Sequence, residues 1–566
     1  MPKYKVFENI SDKDTKELGD YSRVVSRLLI NRGIKTKKEA DIFLNPDYER
    51  DVHDPFLLLN MEKTVDRIIE AIDQGERICI YGDYDADGIP AGIILKNFFE
   101  KINHTNFFNY IPHREVEGFG LNLDAISKIK NNEASLIITV DCGITGIEEV
   151  EEANRLGIDV IITDHHLPNS KVPKAFAIIN PKQKGDKYPF KDLCGAGVAY
   201  KLVQAILKKR SFDLPEGWEK WLLDMVAIAT VSDMVPLVGE NRALVFYGLK
   251  VLRKSKRPGL KMLLKTARVN QGKLTEDDIG FIIAPRINAA SRMDSPEVAL
   301  IALGSNNKEE AEEAVSRLEH MNNERKGSTA AIIKEVRKKL DSLDEVPEII
   351  VSGNPKWRPG ILGLVANTLA EEFDKPVYLW GRGDSPTIKG SFRSNQKIDT
   401  FSLTSSLPEG IFINFGGHTF AGGFELEENK VHYLAEELLK KIEEDNFFIE
   451  DIETLLDDHL RIEEINLDYF KELERVSPYG MGNPKPIFLL EKTLISDVLT
   501  FGKEGLHTKV LLREGEKTIE AIKFFDKPEN FTKIPNKDER VNIVAFVENS
   551  FFMGRSNLRL RIQDIF

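Results

Sequence analysis

Short uninterrupted apolar runs punctuate the first half of the chain: RICIYG (77–82), SLIITV (135–140), DVIIT (159–163) and MVAIATVS (225–232). The first three are brief and rich in β-branched residues, the pattern of strands buried on both faces. Strands are predicted near 77–83, 106–112, 135–141, 159–164 and 175–180, alternating with helical stretches, which predicts an α/β, doubly wound, parallel-sheet domain continuing through helices to about residue 300.

After it, NKEEAEEAVSRLEHMNNERKGSTAAIIKEVRKKL (307–340) carries apolar residues at helical spacing and reads as a long connecting helix between two lobes. The next lobe restarts with the strand EIIVSG, the helix GILGLVANTLAEEF and KPVYLW, then two glycine-rich segments, a second and smaller α/β unit. From about 485 the pattern becomes five short alternating strands with turn-rich loops, as expected of a small barrel. Residues 1–50 read as helical and peripheral. The expected boundaries are 1–50, 51–305, 306–345, 346–447 and 448–566.

Four polar clusters follow directly on the four apolar runs: Asp83-Tyr-Asp85-Ala-Asp87, Asp141, Asp164-His165-His166 and Asp233. In parallel sheets the carboxyl ends of adjacent strands converge on one crevice. Crowding these carboxylates and imidazoles together costs several kcal/mol unless cations bind among them. The layout therefore reads as a two-metal hydrolase. Asp83-x-Asp85-x-Asp87-Gly88 also matches the start of an EF-hand loop, but position twelve is Ile94 rather than glutamate, and a strand rather than a helix precedes it.

Arg114, Arg286 and Arg292 read as arginines in glycine- or proline-bounded turns, free to reach phosphate. Gly390-Ser-Phe-Arg-Ser394 offers hydroxyls, a guanidinium fork and a backbone nest in one expected loop. Gly416-Gly417-His418 and Gly422-Gly423 read as a bend that lets backbone approach a ligand, or that turns a tight β corner. Gly195-Ala-Gly197 lacks the third glycine and the downstream acid of a dinucleotide fingerprint.

The segments DYDADG, DCG, TDHH and SDMVPL, in this order and spacing, resemble the DHH phosphoesterase superfamily and, within it, the RecJ family. Further segments carry the likeness: PHREVEGFGLN (112–122), CGAGVAYKL (194–202), APRINAASRM (284–293), WRPGILGLVA (357–366), GSFRS, FGGHTFAGGF (415–424) and SPYGMGNPKPIF (477–488). Pro90-Ala91 and Ser291 depart from the usual pattern without touching an expected ligand.

The resemblance implies a DHH domain, a DHHA1-type domain and a C-terminal OB-fold barrel. It implies an exonuclease that degrades single-stranded DNA from the 5′ end to mononucleotides, in repair and recombination. Two Mn²⁺ or Mg²⁺ ions are expected among Asp83, Asp85, Asp87, Asp141, His165 and Asp233, with one aspartate of the first motif behind the others. Asp85 and Asp141 are the bridging candidates, and His166 is a phosphate contact or acid, although the two histidines can exchange roles. Asp85, Asp141, His165 and His166 are the expected catalytic set. Ser391 and Arg393 are implied at the 5′ end, with Arg114, Arg286, Asn288, Arg292, Gly416, Gly417 and His418 as further substrate contacts. In the barrel, Phe524 and Phe525 are the chosen base-stacking residues among Phe501, Phe524, Phe525, Phe551 and Phe552. A helicase and a single-strand binding protein are implied as partners of a monomer.

Two alternatives stay open. An oligoribonuclease or cyclic-dinucleotide phosphodiesterase of the superfamily usually stops after the second lobe. A non-enzymatic DNA-binding replication scaffold would lack metal ligands.

Composition adjusts this picture modestly. The 566 residues are 42% hydrophobic, enough for several cores, and the net charge of −13 argues against coating nucleic acid over the whole surface. Yet Lys250 to Arg268 holds eight basic residues and no acid, either a solvated helix face or a steering patch for a polyanion. The three cysteines form no C-x-x-C pair, so neither structural zinc nor a disulfide framework is expected. No membrane-length apolar run and no secretory leader are evident, which predicts the cytoplasm.

Overall fold

The structure is a computed structural model and describes residues 4–383, 387–445, 447–449, 453–502, 505–552 and 555–566. The chain divides into two compact units, one of residues 53–235 and 247–450, the other of 1–52, 236–246 and 451–566.

The first unit is organised by a five-stranded, all-parallel sheet. Its spatial order is Phe107–Tyr110, Ile78–Gly82, Leu136–Val140, Asp159–Thr163, Ala177–Ile179. Ile78–Gly82 and Leu136–Val140 are buried at every position, which is why their sequences are continuously apolar rather than alternating. Counted along the chain the order is 2-1-3-4-5, so connections leave in opposite directions on either side of the first strand. That switch point opens a crevice at the carboxyl ends of Ile78–Gly82 and Leu136–Val140. The fourth apolar run forms the buried helix Leu223–Ser232.

The connecting helix, Lys308–Leu340, is 33 residues long. Asn307 caps it by accepting from the Glu310 N–H, with Glu309 and Glu310 in the first turn and Arg337, Lys338 and Lys339 in the last, as the helix dipole favours. It leads into a second sheet ordered Asn414–His418, Ala421–Leu426, Ile388–Arg393, Val377–Gly381, Ile350–Asn354. Only the last pair is parallel, across the helix Pro359–Phe373.

Several expectations change here. Gly390–Ser394 is not a nest-forming loop, because Ile388–Arg393 is an internal strand. Gly416–His418 and Gly422–Gly423 are the paired arms of a hairpin rather than a bend. A Cβ on Gly422 would lie 2.7 Å from Cε1 of Phe392, and one on Gly390 would overlap the Phe424 ring. These glycines make room for aromatic rings. Cys194 is the N-cap of helix Gly195–Lys209.

The second unit is built on a closed barrel. Phe488–Phe501, His507–Glu514, Lys517–Lys523, Arg555–Ile565 and Arg540–Phe552 follow one another around it, and Arg540–Phe552 pairs back onto Phe488–Phe501. The N-terminal residues are not wholly helical: Tyr4–Val6 forms a parallel strand with Thr454–Leu456. Leu28 lies in the barrel's apolar cluster, and Arg27 Nε donates to the Asp457 carbonyl at 2.9 Å. The glycines of SPYGMGNPKPIF are structural, since a Cβ on Gly480 would fall 2.7 Å from Leu237 Cδ1.

Candidate active site

Asp83 and Asp141 leave the two strands at the switch point, and the loop after Asp159–Thr163 brings Asp164, His165 and His166 beside them. Asp87 sits at the start of helix Gly88–Lys101, and Asp233 at the end of Leu223–Ser232. Four separate stretches of sequence become one cluster. One carboxylate oxygen from each of Asp83, Asp85 and Asp141 lies within 4.8 Å of the other two, as do one ligand atom each from Asp87, His165 and Asp233. A third set, Asp141, His165 and His166, overlaps both. His165 Nε2 is 3.1 Å from Asp141 Oδ1 and 3.6 Å from both Asp87 Oδ2 and Asp233 Oδ2.

The backbone is shaped to hold this cluster. Asp85 Oδ1 accepts from the N–H groups of Asp87 (2.8 Å) and Gly88 (3.1 Å), closing the loop onto the helix. A Cβ on Gly88 would lie 2.6 Å from the Asp83 carbonyl carbon, so the tight DYDADG turn needs glycine there. The Gly195 and Ala196 N–H groups at the head of Gly195–Lys209 donate to the two oxygens of Asp87 at 2.6 and 2.7 Å, the favoured placement of an anion at a helix N-terminus. Asp141 itself has φ +61°, in the left-handed region that costs a non-glycine residue of order 1 kcal/mol.

Electrostatically the cluster is frustrated without cations. Burial, reinforced by the charge of Asp85, raises the Asp83 carboxyl well above its ordinary range. Burial and then Asp87 do the same to Asp141, and push Asp233 up to about 8. Asp87 is held nearer, at about 6, because the Gly195 and Ala196 N–H groups oppose its burial. Asp83 Oδ1, Asp141 Oδ1 and His165 Nε2 are buried without a well-formed hydrogen bond. Orphaned oxygens and an imidazole nitrogen converging within such distances fit divalent cations that accept carboxylate and imidazole ligands, Mn²⁺ and Mg²⁺ among them.

The two histidines are electrically distinct. Burial, with the charge of His166 beside it, lowers His165 to about 3, so its ring is neutral and able to donate a lone pair. His166 is raised to about 9: burial opposes its charge, but Asp164 Oδ1 holds Nδ1 at 2.8 Å and prevails. Asp164 is fixed in turn by the N–H groups of Ile144, His165 and His166.

Beside the acidic cluster lies a cationic one. The Arg114 guanidinium packs over the Tyr84 ring at 5.0 Å. Arg292 and Arg286 are not in turns: both lie on helix Ala284–Met293, whose Pro285 occupies the first turn, where proline is tolerated. Arg292 is largely buried and, among the described residues, donates to the Gly360 carbonyl alone, at 2.8 Å; burial together with Arg114, Arg325 and Arg393 pushes it down to about 9. Arg286 is ion-paired with Glu319. Asn288 accepts from the Ala86 N–H at 3.0 Å, and so braces the aspartate loop. Arg393 donates to the carbonyls of Phe392 and Gly422, and Gly363 leaves space beside it, its added Cβ falling 2.7 Å from Arg393 Nη2. Gly416, Gly417 and His418 are exposed, and nothing lies within 4 Å of a Cβ placed on Gly416.

Two features of the site have no counterpart among the residues expected from sequence. On the connecting helix, Asn322 Nδ2, Arg325 Nε and Thr329 Oγ1 are buried without hydrogen-bond partners among the described residues, one or two turns apart on the same face. Arg325 bears electrostatically on Arg292, which places it with the cationic cluster. Phe119, 55% exposed, stands edge-on to His166 with ring centroids 5.6 Å apart. The spacing of 322, 325 and 329 was a readable signal; Phe119 offered none.

In the barrel unit, Phe525 is 82% exposed and Phe524 half-buried, with Arg561 over the Phe524 ring at 4.5 Å. Phe501 and His507 complete the aromatic group. The side chains of Phe551 and Phe552 lie outside the described residues.

Comparison with known proteins agrees with this architecture. The DHH family N-terminal domain matches residues 77–230, the DHHA1 domain 347–444 and the RecJ OB domain 456–564. The single-stranded-DNA-specific exonuclease RecJ of Bacillus subtilis is 36% identical over 549 residues, covering 96% of this chain and 67% of that protein. Its Escherichia coli counterpart is 31% identical, covering 96% of this chain and 95% of the other. The chain belongs to the RecJ family. The crystal structure of RecJ in complex with Mn²⁺ from Thermus thermophilus superposes with a TM-score of 0.82 at 27% identity, covering all of this chain and 79% of that one. A Mg²⁺ complex from the same source also matches, with a TM-score of 0.75. Among the described residues no helix is long and apolar enough to cross a membrane.

Proposed function

We propose that this chain is a metal-dependent exonuclease that degrades single-stranded DNA from its 5′ end to mononucleotides in repair and recombination. The observation that carries this reading is the pair of three-residue ligand sets, Asp83/Asp85/Asp141 and Asp87/His165/Asp233, meeting at the 3.1 Å approach of Asp141 to His165 beside a cluster of arginines. Kinship with exonucleases named for single-stranded DNA supports the choice of substrate.

Asp83, Asp85, Asp87, Asp141, His165 and Asp233 would hold two divalent cations, with Asp141 the better shared candidate because it groups with Asp83 and Asp85 in one set and with His165 and His166 in another. When bound, the ions supply a hydroxide-like nucleophile at neutral pH and offset charge on the phosphoryl group. Water attacks the phosphorus of the second nucleotide, the bond to the 3′-oxygen of the first breaks, and that oxygen takes a proton. His166, charged and oriented by Asp164, is the group for that proton or for a phosphate oxygen. Arg114, Arg292, Arg393 and Ser391 would bind the strand's terminal phosphates, and Arg286 would join them only on release from Glu319. His418 and Gly416 would face the strand. Phe524 and Phe525 would stack bases on the barrel. We further infer a cytoplasmic monomer that works on ends opened by a helicase, alongside a single-strand binding protein.

Digestion of a 3′-labelled single strand with Mn²⁺ tests the reading. Labelled fragments shortening progressively from the 5′ end, and their loss with Asp141→Ala, are expected. Cleavage of a dinucleotide alone would replace it with a short-oligonucleotide phosphodiesterase.

A further inference from the structure

On the DHH domain, a cavity of about 540 Å³ lies far from the acidic cluster. Its lining includes Asn97, Lys101, Trp218, Trp221, Lys256 and Arg257. Two helices fix its distance. Gly88–Lys101 has Asp87 at its head and ends at the cavity with Asn97 and Lys101, 14 residues or about 20 Å later. Leu223–Ser232 begins at the cavity, with Asp224 in the wall, and ends at Asp233, about 15 Å away. The cavity is a separate place.

Its acids are already engaged. Asp224 is held by Arg257 Nε at 2.7 Å, and Glu100 pairs with Lys96. Of its cations Arg257 is thereby engaged, whereas Lys101 and Lys256, both exposed, make no ion pair among the described residues. From Pro258 in the cavity wall, helix Pro258–Thr266 carries the charge onward. Lys261 and Lys265 lie one turn apart and Arg268 follows, all exposed and, among the described residues, without ion-pair partners. This is a cation about every 6 Å beyond a pocket whose wall contains Trp221, 55% exposed. A row of cations suits a polyanion rather than a single carboxylate, and exposed indoles suit stacked bases.

We propose that this surface is a second binding site for single-stranded nucleic acid, with a base against Trp221 and phosphates along Lys256, Lys261, Lys265 and Arg268. The inference rests on reading the chain as an enzyme of single strands.

The test is the binding of a fluorescent oligothymidylate to the full-length protein without divalent metal, for short and long strands across a salt series. Trp221→Ala is expected to weaken the long strand roughly tenfold and leave the short strand, held in the cleft, unchanged. Lys256→Glu with Lys261→Glu is expected to reduce the salt slope by about 1 to 2. The double variant leaves Trp221 in place and decides the matter if Trp221→Ala misfolds. Unchanged long-strand affinity and slope in both variants overturn the proposal. So does an acidic peptide that binds through these residues while DNA ignores them. Degradation with Mn²⁺ is scored separately: if the wild type cuts no strand, the exonuclease reading fails, while the binding contrast still decides this site.

Discussion

Gly195 lies against Asp141 so closely that a Cβ on the glycine would sit 2.6 Å from the carboxylate's Cγ. The head of one helix and the end of the central strand thus meet with no room for a methyl group. Gly195→Ala is expected to push Asp141 out of register with both ligand sets. Misplacement near 1 Å costs on the order of 10²-fold in rate, so kcat should fall by about that factor. Steady-state kinetics beside a melting curve checks this; a folded variant with undiminished kcat would mean that Asp141 is not the shared ligand.

Asp164 sets the charge of His166. In Asp164→Asn the imidazole loses the partner that raises it to about 9 and should titrate nearer its ordinary value. Activity should then drop by about 30-fold at pH 8 and by much less near pH 6, where His166 still holds its proton. The same pair contributes stability that is fully present below the unfolded histidine's pKa, about 6.5, and is lost as pH rises through about 9. A pH–rate profile and a pH series of melting temperatures check both limbs. An unshifted alkaline limb in the variant would remove His166 from the chemistry.

Much of this site was legible because strands buried on both faces write themselves as continuous apolar runs, and the residue after each run is the one that reaches the crevice. Asp83, Asp141 and Asp164 were readable for that reason. Arg286 and Arg292 were misplaced in turns because APRINAASRM is short and alanine-rich, with a proline that looks like a break but occupies the first turn of a helix. Gly390 and Gly422 misled for a different reason. The rings they accommodate, Phe424 and Phe392, come from the neighbouring strand, and pairing across strands is invisible locally. The strand Tyr4–Val6 finds its partner about 450 residues away. Phe119 sits in a polar loop without periodicity.

Arg292 is a largely buried guanidinium with no carboxylate partner among the described residues, which is costly until an anion arrives. Arg292→Gln is expected to raise KM for 5′-phosphorylated strands about tenfold or more while leaving the melting temperature of the free protein unchanged or higher. Arg325→Gln, from the connecting helix, should shift KM in the same direction by a smaller factor. Loss of stability with no change in KM would make these arginines scaffold instead.

Phe525 is almost wholly exposed and contributes little to the barrel's core. Phe525→Ala is expected to weaken single-strand binding by roughly 1–3 kcal/mol, with kcat at saturation and melting temperature preserved. Equal affinity for wild type and variant would direct attention to Phe501 and His507.

The dinuclear centre itself can be seen directly by electron paramagnetic resonance of the Mn²⁺-loaded protein, with bound metal counted in parallel. Two Mn²⁺ per chain and an exchange-coupled multiline spectrum are expected, reverting in Asp141→Ala to an uncoupled ion. A single uncoupled Mn²⁺ in the wild type, or coupling that survives the loss of Asp141, would contradict a pair of metals joined through that residue.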